Sequence, residues 1–590
     1  MLRKYVLLRQ SSLVWWLIYL IPVIVLIGFI AKFSVNVPLL DDWNLVDTFY
    51  KKYESSITLK DLFAQHNEHR IFFPRLIFIP LAFFSDWNVK YGQYCNVLLT
   101  FITLFSIARL ALGQTEHSNK FWVHVANFLT SALLFSVFQT DTWVLSFQLT
   151  WLLINTCVAI AVFFASTSPL TIASFSAATF FCLVASFSSA HGLVSWIAVS
   201  PCIFYSTQRL KRRFIRTGLW GGLCLVSGIL YFVDYHKPDY HPGTLYFLAH
   251  PWVATRYFFT LLGGSLIRSF PWMTIAGFIL LIAFFYYVIR ILKHDEQAKL
   301  AAPWLSLGLF SIVFALITTI GRAGFGVEHA IASRYTSSSV FLIIAIIQLF
   351  RLSLYSIARD RAEFNPRFKR IFQIVVCTTM GLILANSVKA LSEWQLWAKH
   401  KLHRKTCLEL IHYMDESHFE GEAPNSCLRL VFPSTQALRG WVTSLEEIGF
   451  RDFPQDLDFV ARPSVELGAI EKPDPKDPSF LLANEEGKIK ISGWAKLPDD
   501  SNSFKLILLS ANDRKQFFAS VPINEDSPDL DDESSGPNEG HYRGKKWSAD
   551  IVIEALPPDI VKIGAWIYNP TEKQFVKLNG ELAVSTAERS

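Results

Sequence analysis

Two adjacent carboxylates lie near the start of the chain, where the sequence PLLDDW contains Asp41 and Asp42. Neighbouring carboxylates repel each other, so the pKa of one of them rises unless a cation lies between them. Such a pair suits a general base or a metal ligand. The alternative is a helix cap, because Asp is a favoured N-cap residue and the following LVDTFY could continue as a helix.

A second polar group lies in QHNEHRIFFPRL and comprises His66, Glu68, His69, Arg70 and Arg75. On a helix, His66, His69 and Arg70 would share one face. Two His and a Glu could ligate zinc, but the spacing is not that of HExxH and is weak evidence for a metal. Arg presents a bidentate fork to phosphate oxygens, so we expect the two Arg and His69 to bind a phosphate. His66 and Glu68 are then candidates for contacting the rest of the substrate.

A third polar group lies in GRAGFGVEHAIASRYT, between two strongly apolar segments. Its members are Arg322, Glu328, His329, Arg334 and Tyr335. Three glycines in this segment permit close approach of the backbone, and the segment is more polar than a connection between two helices requires. We expect Glu328 to contact substrate and the other four residues to bind a phosphate. The alternative is that these side chains cap helices or snorkel to the membrane surface.

The segments around these polar groups are apolar. The chain has 590 residues, of which 52% are hydrophobic and 18% charged, and its mean hydropathy is +0.31. Soluble domains carry about a quarter charged residues, which argues against a large cytosolic enzyme. The apolar residues lie almost wholly before residue 390, and no basic tract is interleaved with aromatics as in nucleic-acid-binding proteins. The sequence therefore predicts a polytopic α-helical membrane protein with a soluble C-terminal part.

Eleven apolar segments are long enough to cross a bilayer, which takes about 20 residues. The first is interpreted as an uncleaved anchor, because no small-residue cleavage site follows it. Two further stretches, 71–84 and 243–262, contain proline and charged residues and are predicted to lie in the membrane interface. The predicted spans are 13–31, 94–112, 121–138, 150–167, 170–187, 191–207, 217–234, 271–291, 303–320, 336–352 and 371–388.

The distribution of basic residues predicts the orientation, because cytoplasmic loops carry an excess of Lys and Arg. A cytoplasmic N-terminus places the densest basic segments of the membrane part inside; these are 208–216, 290–299 and 351–370. The loops 139–149 and 188–190, which contain no Lys or Arg, are then outside. The first loop (32–93), the turn 321–336 and the C-terminal part also lie outside, so the three polar groups share one side of the membrane.

Beyond residue 390 the sequence predicts two regions, a helical stem over 391–465 and a small antiparallel β-sandwich over 466–590. PDPKDP is a predicted linker, and the acidic run 525–539 a predicted loop. Disulfides persist outside the cytoplasm, so we predict a bridge between Cys407 and Cys427; the alternative is two unrelated thiols. The predicted strands are KIKISGWAKL, FKLILLS, QFFASVPI, WSADIVIEA and IVKIGAWIY.

This pattern resembles the GT-C membrane glycosyltransferases, which use polyprenyl-phosphate-linked sugars. The resemblance covers roughly residues 1–390 and rests on PLLDDW, HNEHRIFFPRL and GRAGFG…SRYT. It implies that Asp41 or Asp42 is the general base that deprotonates the acceptor hydroxyl, with inversion at the anomeric carbon. Some members use a divalent metal, Mg²⁺ or Mn²⁺, at the acidic motif and others use none. The cations expected to stabilise the leaving phosphate are Arg334, Arg70, Arg75 and His69.

The resemblance thus implies an enzyme of the bacterial inner (cytoplasmic) membrane that transfers a hexose or pentose to an extracytoplasmic glycan, lipid or protein. Its partners would be membrane lipids, the donor and the acceptor, and no nucleic acid. A transporter or flippase of lipid-linked sugars is a second hypothesis, although transporters place ionisable residues at mid-membrane and these spans are nearly free of charge. A third is a cell-envelope scaffold with a carbohydrate-binding β-sandwich.

Overall fold

The structure is a computed structural model that describes residues 2–115, 119–207, 209–238, 242–243, 245–292, 295–360, 366–416, 425–471, 487–496, 503–523 and 544–584. The helices up to the middle of the chain are α1 (Leu2–Phe33), α2 (Val46–Tyr53), α3 (Leu59–Phe63), α4 (Phe72–Ser85), α5 (Val89–Gly113), α6 (Lys120–Leu134), α7 (Thr140–Val144), α8 (Leu149–Ala165), α9 (Ile172–Ser186), α10 (Val194–Phe204) and α11 (Leu210–Phe232). They are followed by α12 (Tyr246–Ala249), α13 (Pro251–Gly263), α14 (Trp272–Ile291), α15 (Asp295–Arg322), α16 (Thr336–Asp360), α17 (Pro366–Glu409), α18 (Cys427–Val431) and α19 (Thr435–Ile448).

The strands form one small hairpin early in the chain and two sheets at its C-terminal end. The hairpin consists of β1 (Gln65–His66) and β2 (His69–Arg70). The sheets contain β3 (Asp458–Val460), β4 (Gly468–Ile470), β5 (Lys488–Ala495), β6 (Leu506–Ala511), β7 (Phe517–Pro522), β8 (Lys545–Val552), β9 (Lys562–Asn569), β10 (Gln574–Lys577) and β11 (Leu582–Ala583).

The chain divides into two compact units by the density of its internal contacts. The membrane unit comprises Met1–Ser34 and Ser55–Gln395, and the C-terminal unit comprises Val35–Glu54 and Leu396–Ser590. Residues 35–54, which carry the acidic pair, therefore group with the C-terminal unit, although the sequence places them with the membrane part. The three predicted domains, with boundaries at residues 390 and 465, stay a sequence-based prediction.

Eight helical segments in the described part of the chain are long and apolar enough to cross a membrane. Their burial separates two classes: 83% of the residues in the apolar stretch of Ser333–Ser353 are buried, but only 17% in Leu210–Phe232. A helix that is apolar yet exposed faces lipid rather than water, so the chain is a multi-helix membrane protein. The segments are Leu13–Phe33, Val89–Gly113, Ser146–Ala165, Leu210–Phe232, Trp272–Ile291, Asp295–Phe325, Ser333–Ser353 and Arg370–Glu409.

The other three predicted spans are also helical, but their helices are shorter. They correspond to α6, α9 and the segment Ala190–Phe204, each of 15 residues. The total of eleven spans and the orientation therefore stay predictions. The two stretches that the sequence excludes as spans form α4 and α13, with 14 and 13 residues. The last span and the start of the predicted stem form a single helix, α17, of 44 residues.

The hairpin β1–β2 replaces the helix expected for the second polar group. Its strands pair antiparallel, with Gln65 opposite Arg70 and His66 opposite His69. Asn67 adopts a left-handed backbone (φ 49°), which Asn tolerates better than most residues and which a two-residue turn requires. The expectation that His66, His69 and Arg70 share one helix face is therefore wrong.

The C-terminal unit contains the predicted β structure. One sheet has the strand order β3-β10-β9-β6-β7 with β11 beside β9, and the other has the order β4-β5-β8. Side chains of both sheets share one hydrophobic core, which includes Ile491, Leu509, Trp547 and Ile567. All five predicted strands are confirmed, but pairing is not antiparallel throughout, because β3 runs parallel to β10. The PDPKDP linker and the acidic run 525–539 lie outside the described residues.

The C-terminal unit also contains the disulfide between Cys407 at the end of α17 and Cys427 at the start of α18. The carboxylate of Glu416 accepts hydrogen bonds from the N–H groups of Cys427 (2.6 Å) and Leu428 (3.1 Å). It thereby caps α18, and burial raises the pKa of Glu416 against the effect of these bonds. The bridge and the cap together fix the start of α18.

Replacing both cysteines, Cys407→Ser with Cys427→Ser, is expected to lower the free energy of unfolding of the C-terminal unit by about 3 kcal/mol, because the bridge closes a loop with a sequence separation of 20. Thermal unfolding of the purified full chain measures this. A reducing agent should lower the unfolding midpoint of the wild type and leave that of the double variant unchanged. Equal midpoints for the two proteins under oxidising conditions would contradict the prediction.

Candidate functional site

Several polar side chains of the membrane unit converge at the ends of its helices. They come from the hairpin β1–β2, the turn before α10, the end of α15 and the 3₁₀ turns over Ala323–Tyr335. The indole of Trp151 on α8 lies among them, 4.6 Å from the ring of His191, 6.3 Å from that of His69 and 6.0 Å from that of Tyr335. Trp151 therefore connects the hairpin residues to the turn that follows α15.

The carboxylate of Glu68 accepts a hydrogen bond from Arg322 and forms an ion pair with it. The same oxygen, Oε1, lies 3.5 Å from Nε2 of His69. Nδ1 of His69 accepts from the N–H of Ala190 (3.3 Å), so the proton of a neutral His69 is on Nε2 and points to Glu68. The ion pair leaves little of either side chain exposed, 24% for Arg322 and 14% for Glu68.

His191 is a buried histidine, and one of its ring nitrogens has no hydrogen-bond partner among the described residues. Nε2 lies 3.1 Å from Oγ1 of Thr318, whose own hydroxyl donates to the carbonyl of Phe314 at 2.8 Å. Nε2 of His191 is therefore the donor, and Nδ1 is the unprotonated nitrogen. In the described part of the chain, Nδ1 is buried without a hydrogen-bond partner. Buried polar atoms are usually paired, so this nitrogen is a candidate contact for a substrate.

His329 contacts two tyrosines and an arginine in the turn after α15. Its Nδ1 lies 3.0 Å from the hydroxyl of Tyr257 and 3.4 Å from that of Tyr335, while its Nε2 lies 3.3 Å from Nη2 of Arg334. Arg334 can only donate, so Nδ1 carries the proton. Burial, followed by the cations Arg334 and Arg322, lowers the pKa of His329 to about 4. His329 is therefore neutral at neutral pH.

The turn after α15 is anchored to α7 by paired hydrogen bonds. The N–H of Asp141 donates to Oγ of Ser333 (2.8 Å), and the N–H of Ser333 donates to the Asp141 carboxylate (3.1 Å). That carboxylate interacts electrostatically with Arg334 and with Arg268. Burial lowers the pKa of Arg268, and Glu393 and Asp141 act in the opposite direction. The two arginines therefore share one aspartate.

Arg70 and Arg75, which the sequence assigns to the donor phosphate, donate to backbone carbonyls. Arg70 donates through Nε to Tyr231 (2.7 Å), through Nη1 to Phe63 (3.0 Å) and through Nη2 to Val233. Arg75 donates to the carbonyls of Leu62 (2.8 Å) and Ala64 (2.6 Å). These contacts fix the hairpin and the segment before it, and a phosphate role for the two arginines stays a prediction.

The two remaining substrate-binding candidates differ in exposure. His66 is buried, and its ring lies 5.1 Å from that of Phe147. Glu328 is exposed, and its carboxylate folds back over Gly326, whose φ of 95° suits glycine. Both lie on the segments that carry the other site residues, and their roles stay predictions.

Asp41 and Asp42 lie on a 3₁₀ helix, Leu40–Leu45, within the C-terminal unit. Asp42 is 2% exposed, and its Oδ2 accepts from the N–H of Leu39 at 3.0 Å. Asp42 is thus the third residue of the 3₁₀ helix and bonds back to Leu39, the N-cap residue, so neither aspartate is the N-cap that the sequence offers as the alternative to a catalytic role. Asp41 is partly exposed, so it is the more accessible carboxylate of the pair.

A three-ligand metal site does not form around either group of metal-ligand candidates in the described residues. The only three His, Cys, Asp or Glu ligand atoms found there within 4.8 Å of one another belong to His403, Cys407 and Cys427, and the two sulfurs form the disulfide. Mg²⁺ needs only one or two carboxylates when substrate phosphates and water complete its shell. A divalent metal at Asp41 and Asp42 therefore stays a prediction.

Three residues of the cluster escaped the sequence interpretation: Trp151, His191 and Tyr257. Trp151 and Tyr257 lie in apolar helical sequence, where an aromatic residue is most often core. His191 had one recognisable signal, because it directly follows 188–190, a predicted outer loop without Lys or Arg. A histidine at the outer end of a predicted span deserves the same weight as the charged residues of the other loops.

No protein-family model and no curated protein matches the chain. Among solved structures, the chain matches the crystal structure of ArnT from Cupriavidus metallidurans bound to undecaprenyl phosphate. The match covers 74% of this chain and 89% of that chain, with 10% sequence identity and a TM-score of 0.38. A likeness of this degree leaves the site to be judged from its own residues.

The contacts of Arg70 predict a structural effect of its replacement. Arg70→Met removes three hydrogen bonds from a charged donor and is expected to lower the free energy of unfolding by about 3 kcal/mol. Arg256→Met is the matched control, because the Arg256 guanidinium lies over the Phe270 ring at 5.2 Å and such a contact contributes about 1 kcal/mol. Thermal unfolding in detergent measures both, and equal losses would contradict the assignment.

Proposed function

We propose that the protein is a membrane glycosyltransferase of the GT-C type that uses a polyprenyl-phosphate-linked sugar as donor. The observation that carries the proposal is the cluster around Trp151, in which two arginines and three histidines meet at the ends of apolar helices. Arginine with neutral histidine suits an anionic group that arrives from the lipid. A lipid-linked phosphodiester carries its anion at the membrane surface and its prenyl chain in the bilayer. It therefore suits a site where arginines and histidines lie at the ends of apolar helices.

The proposed donor site uses Arg322, Arg334 and His329 for the phosphate. Arg322 is already paired with Glu68, so a phosphate would share the guanidinium with a carboxylate that orients it. His329 is neutral in the free protein, and an anion bound beside it would raise its pKa and favour the protonated form. His191 offers its unprotonated Nδ1 to a hydroxyl of the sugar. The cations then stabilise the negative charge that develops on the leaving phosphate.

The proposed reaction is an inverting transfer. An acceptor hydroxyl attacks the anomeric carbon while the bond from that carbon to the phosphate oxygen breaks, and the phosphate leaves with the electron pair. The hydroxyl proton passes to a carboxylate of the acidic pair, for which Asp41 is the better candidate because Asp42 is buried and bonded to the Leu39 N–H. The acceptor is an extracytoplasmic glycan, lipid or protein, as the predicted topology implies.

The proposal is tested by incubating the purified full chain in nanodiscs with a panel of synthetic polyprenyl-phosphate-linked hexoses and pentoses. Mass spectrometry of the lipids should show release of polyprenyl phosphate from at least one donor, with the sugar recovered on an acceptor or on water. Co-purified polyprenyl phosphate would argue against the scaffold hypothesis, and the transfer assay then separates the enzyme from the transporter. Movement of an intact donor between leaflets without release of polyprenyl phosphate would instead support the transporter hypothesis.

Replacements of the two arginines should affect donor binding. Arg322→Met and Arg334→Met are each expected to raise the KM for the donor about 10- to 100-fold, because each removes a charged hydrogen bond to phosphate of about 1.5–3 kcal/mol. Arg290→Met is a control on α14, where the guanidinium contacts only Tyr286 among the contacts described. An unchanged KM in both site variants would contradict the phosphate assignment.

Asp41→Asn should abolish turnover with little effect on donor affinity, because a general base acts on the acceptor in the transition state. Asp47→Asn is a control on the same segment; its carboxylate accepts from the indole of Trp441. The measurement is kcat and KM with the donor that the wild type uses, together with thermal unfolding. Full activity of Asp41→Asn would contradict the base assignment.

Donor binding should depend on pH through His329. Its pKa of about 4 in the free protein rises when a phosphodiester binds, so binding takes up a proton. Affinity therefore increases as pH falls through the pKa of the complex and levels off near pH 4. Calorimetric titration with a short-chain prenyl-phosphate sugar between pH 8 and 5 measures this, since that diester does not titrate there. His329→Gln should flatten the profile, and His250→Gln, an exposed control, should preserve it.

A further inference from the structure

The C-terminal unit encloses the acidic pair with contacts from α19 and the residues that follow it. Trp43 is fully buried, and its ring stacks on that of Trp441 at 6.1 Å. Further contacts follow along the chain: Trp441 Nε1 donates to Asp47 Oδ1 (3.0 Å), the Tyr50 hydroxyl donates to Glu447 (2.6 Å), and the rings of Phe49 and Phe450 meet edge to face (6.1 Å). Residues 35–54 therefore have a partner element that is distant in sequence.

Arg451, three residues beyond the end of α19, reaches the N-terminal side of the acidic pair. Its Nη2 donates to the Asn36 side-chain oxygen (2.8 Å), and its Nη1 donates to the Asn36 carbonyl (3.2 Å). Burial lowers the pKa of Arg451 to about 10, against the opposing effects of Asp42 and then Glu409. The arginine thus binds Asn36, which lies before the acidic pair, and is attracted electrostatically by Asp42.

The backbone between these two attachments is strained at the residue before Asp41. Leu40 has a left-handed conformation (φ 52°) and a side chain that is 54% exposed. Such a conformation in a non-glycine residue costs about 1–3 kcal/mol and persists only where the surroundings impose it. The Leu40 side chain is more than half exposed, and the hydrogen bonds described nearby are those of Arg451 to Asn36 and of the Leu39 N–H to Asp42.

We propose that Arg451 is a positioning residue for Asp41, acting within the C-terminal unit that contains both residues. Through its two hydrogen bonds to Asn36 and its electrostatic attraction to Asp42, Arg451 keeps the Leu40 backbone left-handed. This backbone conformation sets the direction of the Asp41 side chain. That Asp41 is the base rests on the proposed function above. That Arg451 fixes the backbone of residues 36–46 does not depend on it. The C-terminal unit then has a role other than the carbohydrate binding that the scaffold hypothesis gives it.

The first experiment measures the segment itself in the full chain. Hydrogen–deuterium exchange of backbone amides 36–46, read by mass spectrometry, should accelerate about 10-fold or more in Arg451→Met, and amides 545–569 should stay within two-fold of wild type. Arg439→Met is the matched control. Arg439 lies on α19 and donates to the carbonyls of Ile411 (3.1 Å) and Met414 rather than to residues of the 35–54 segment.

The second experiment measures kinetics with the donor that the wild type turns over. Arg451→Met should lower kcat about 100-fold, the effect of a displaced catalytic group, and leave the KM for the donor within two-fold. Arg451→Lys, which keeps the charge and one contact, should recover part of kcat. Asn36→Leu removes the side-chain acceptor, one of the two acceptors of Arg451 at residue 36, and leaves Arg451 in place, so it tests that contact if Arg451→Met does not fold.

The outcomes separate this proposal from the proposed function. Wild-type exchange at 36–46 and wild-type kcat in both Arg451→Met and Asn36→Leu, in an enzyme that Asp41→Asn inactivates, overturn the positioning role and leave the base intact. If Asp41→Asn retains turnover, the base assignment falls, and with it the claim that Arg451 acts on catalysis. An equal loss of kcat and of the unfolding midpoint in Arg439→Met would reduce Arg451 to a general stabiliser and also overturn the proposal.

Discussion

The ion pair between Glu68 and Arg322 joins parts of the membrane unit that are 254 residues apart in the chain. Charges at the ends of apolar helices are costly unless paired, and removing one partner of a buried pair costs about 3–5 kcal/mol. The pair therefore specifies how the hairpin β1–β2 meets the end of α15. The other contacts depend on that meeting: His69 turns its proton to Glu68, and Arg322 contributes to the low pKa of His329.

Residue type alone suggested that all four arginines bind phosphate. Their hydrogen-bond partners divide them into two pairs. Arg70 and Arg75 donate to backbone carbonyls, whereas Arg322 and Arg334 contact the side chains of Glu68 and His329. The same holds for the acidic pair. In sequence Asp41 and Asp42 are equivalent; in the fold one is buried under a capping bond and the other is partly exposed.

The long elements were predictable because hydropathy over about 20 residues is a strong signal, and every predicted span is helical. The five C-terminal strands were predictable because alternating apolar and polar residues between turn-rich segments are also a recognisable signal. The hairpin β1–β2 was not, since two residues per strand show no period, and a helical interpretation fitted QHNEHR equally well. The grouping of residues 35–54 with α19 was also beyond local patterns, because it depends on contacts such as Trp43 with Trp441. The parallel pairing of β3 with β10 has the same origin.

The contact between Asn36 and Arg451 spans 415 residues of sequence, and this has a consequence for biosynthesis. The segment with the acidic pair is synthesised 415 residues before its partner. At about 5–20 residues per second, roughly 20–80 s pass between the two. Throughout that time the segment lacks the contacts that shape it. A nascent or truncated chain that stops before Arg451 therefore carries the two carboxylates without this contact.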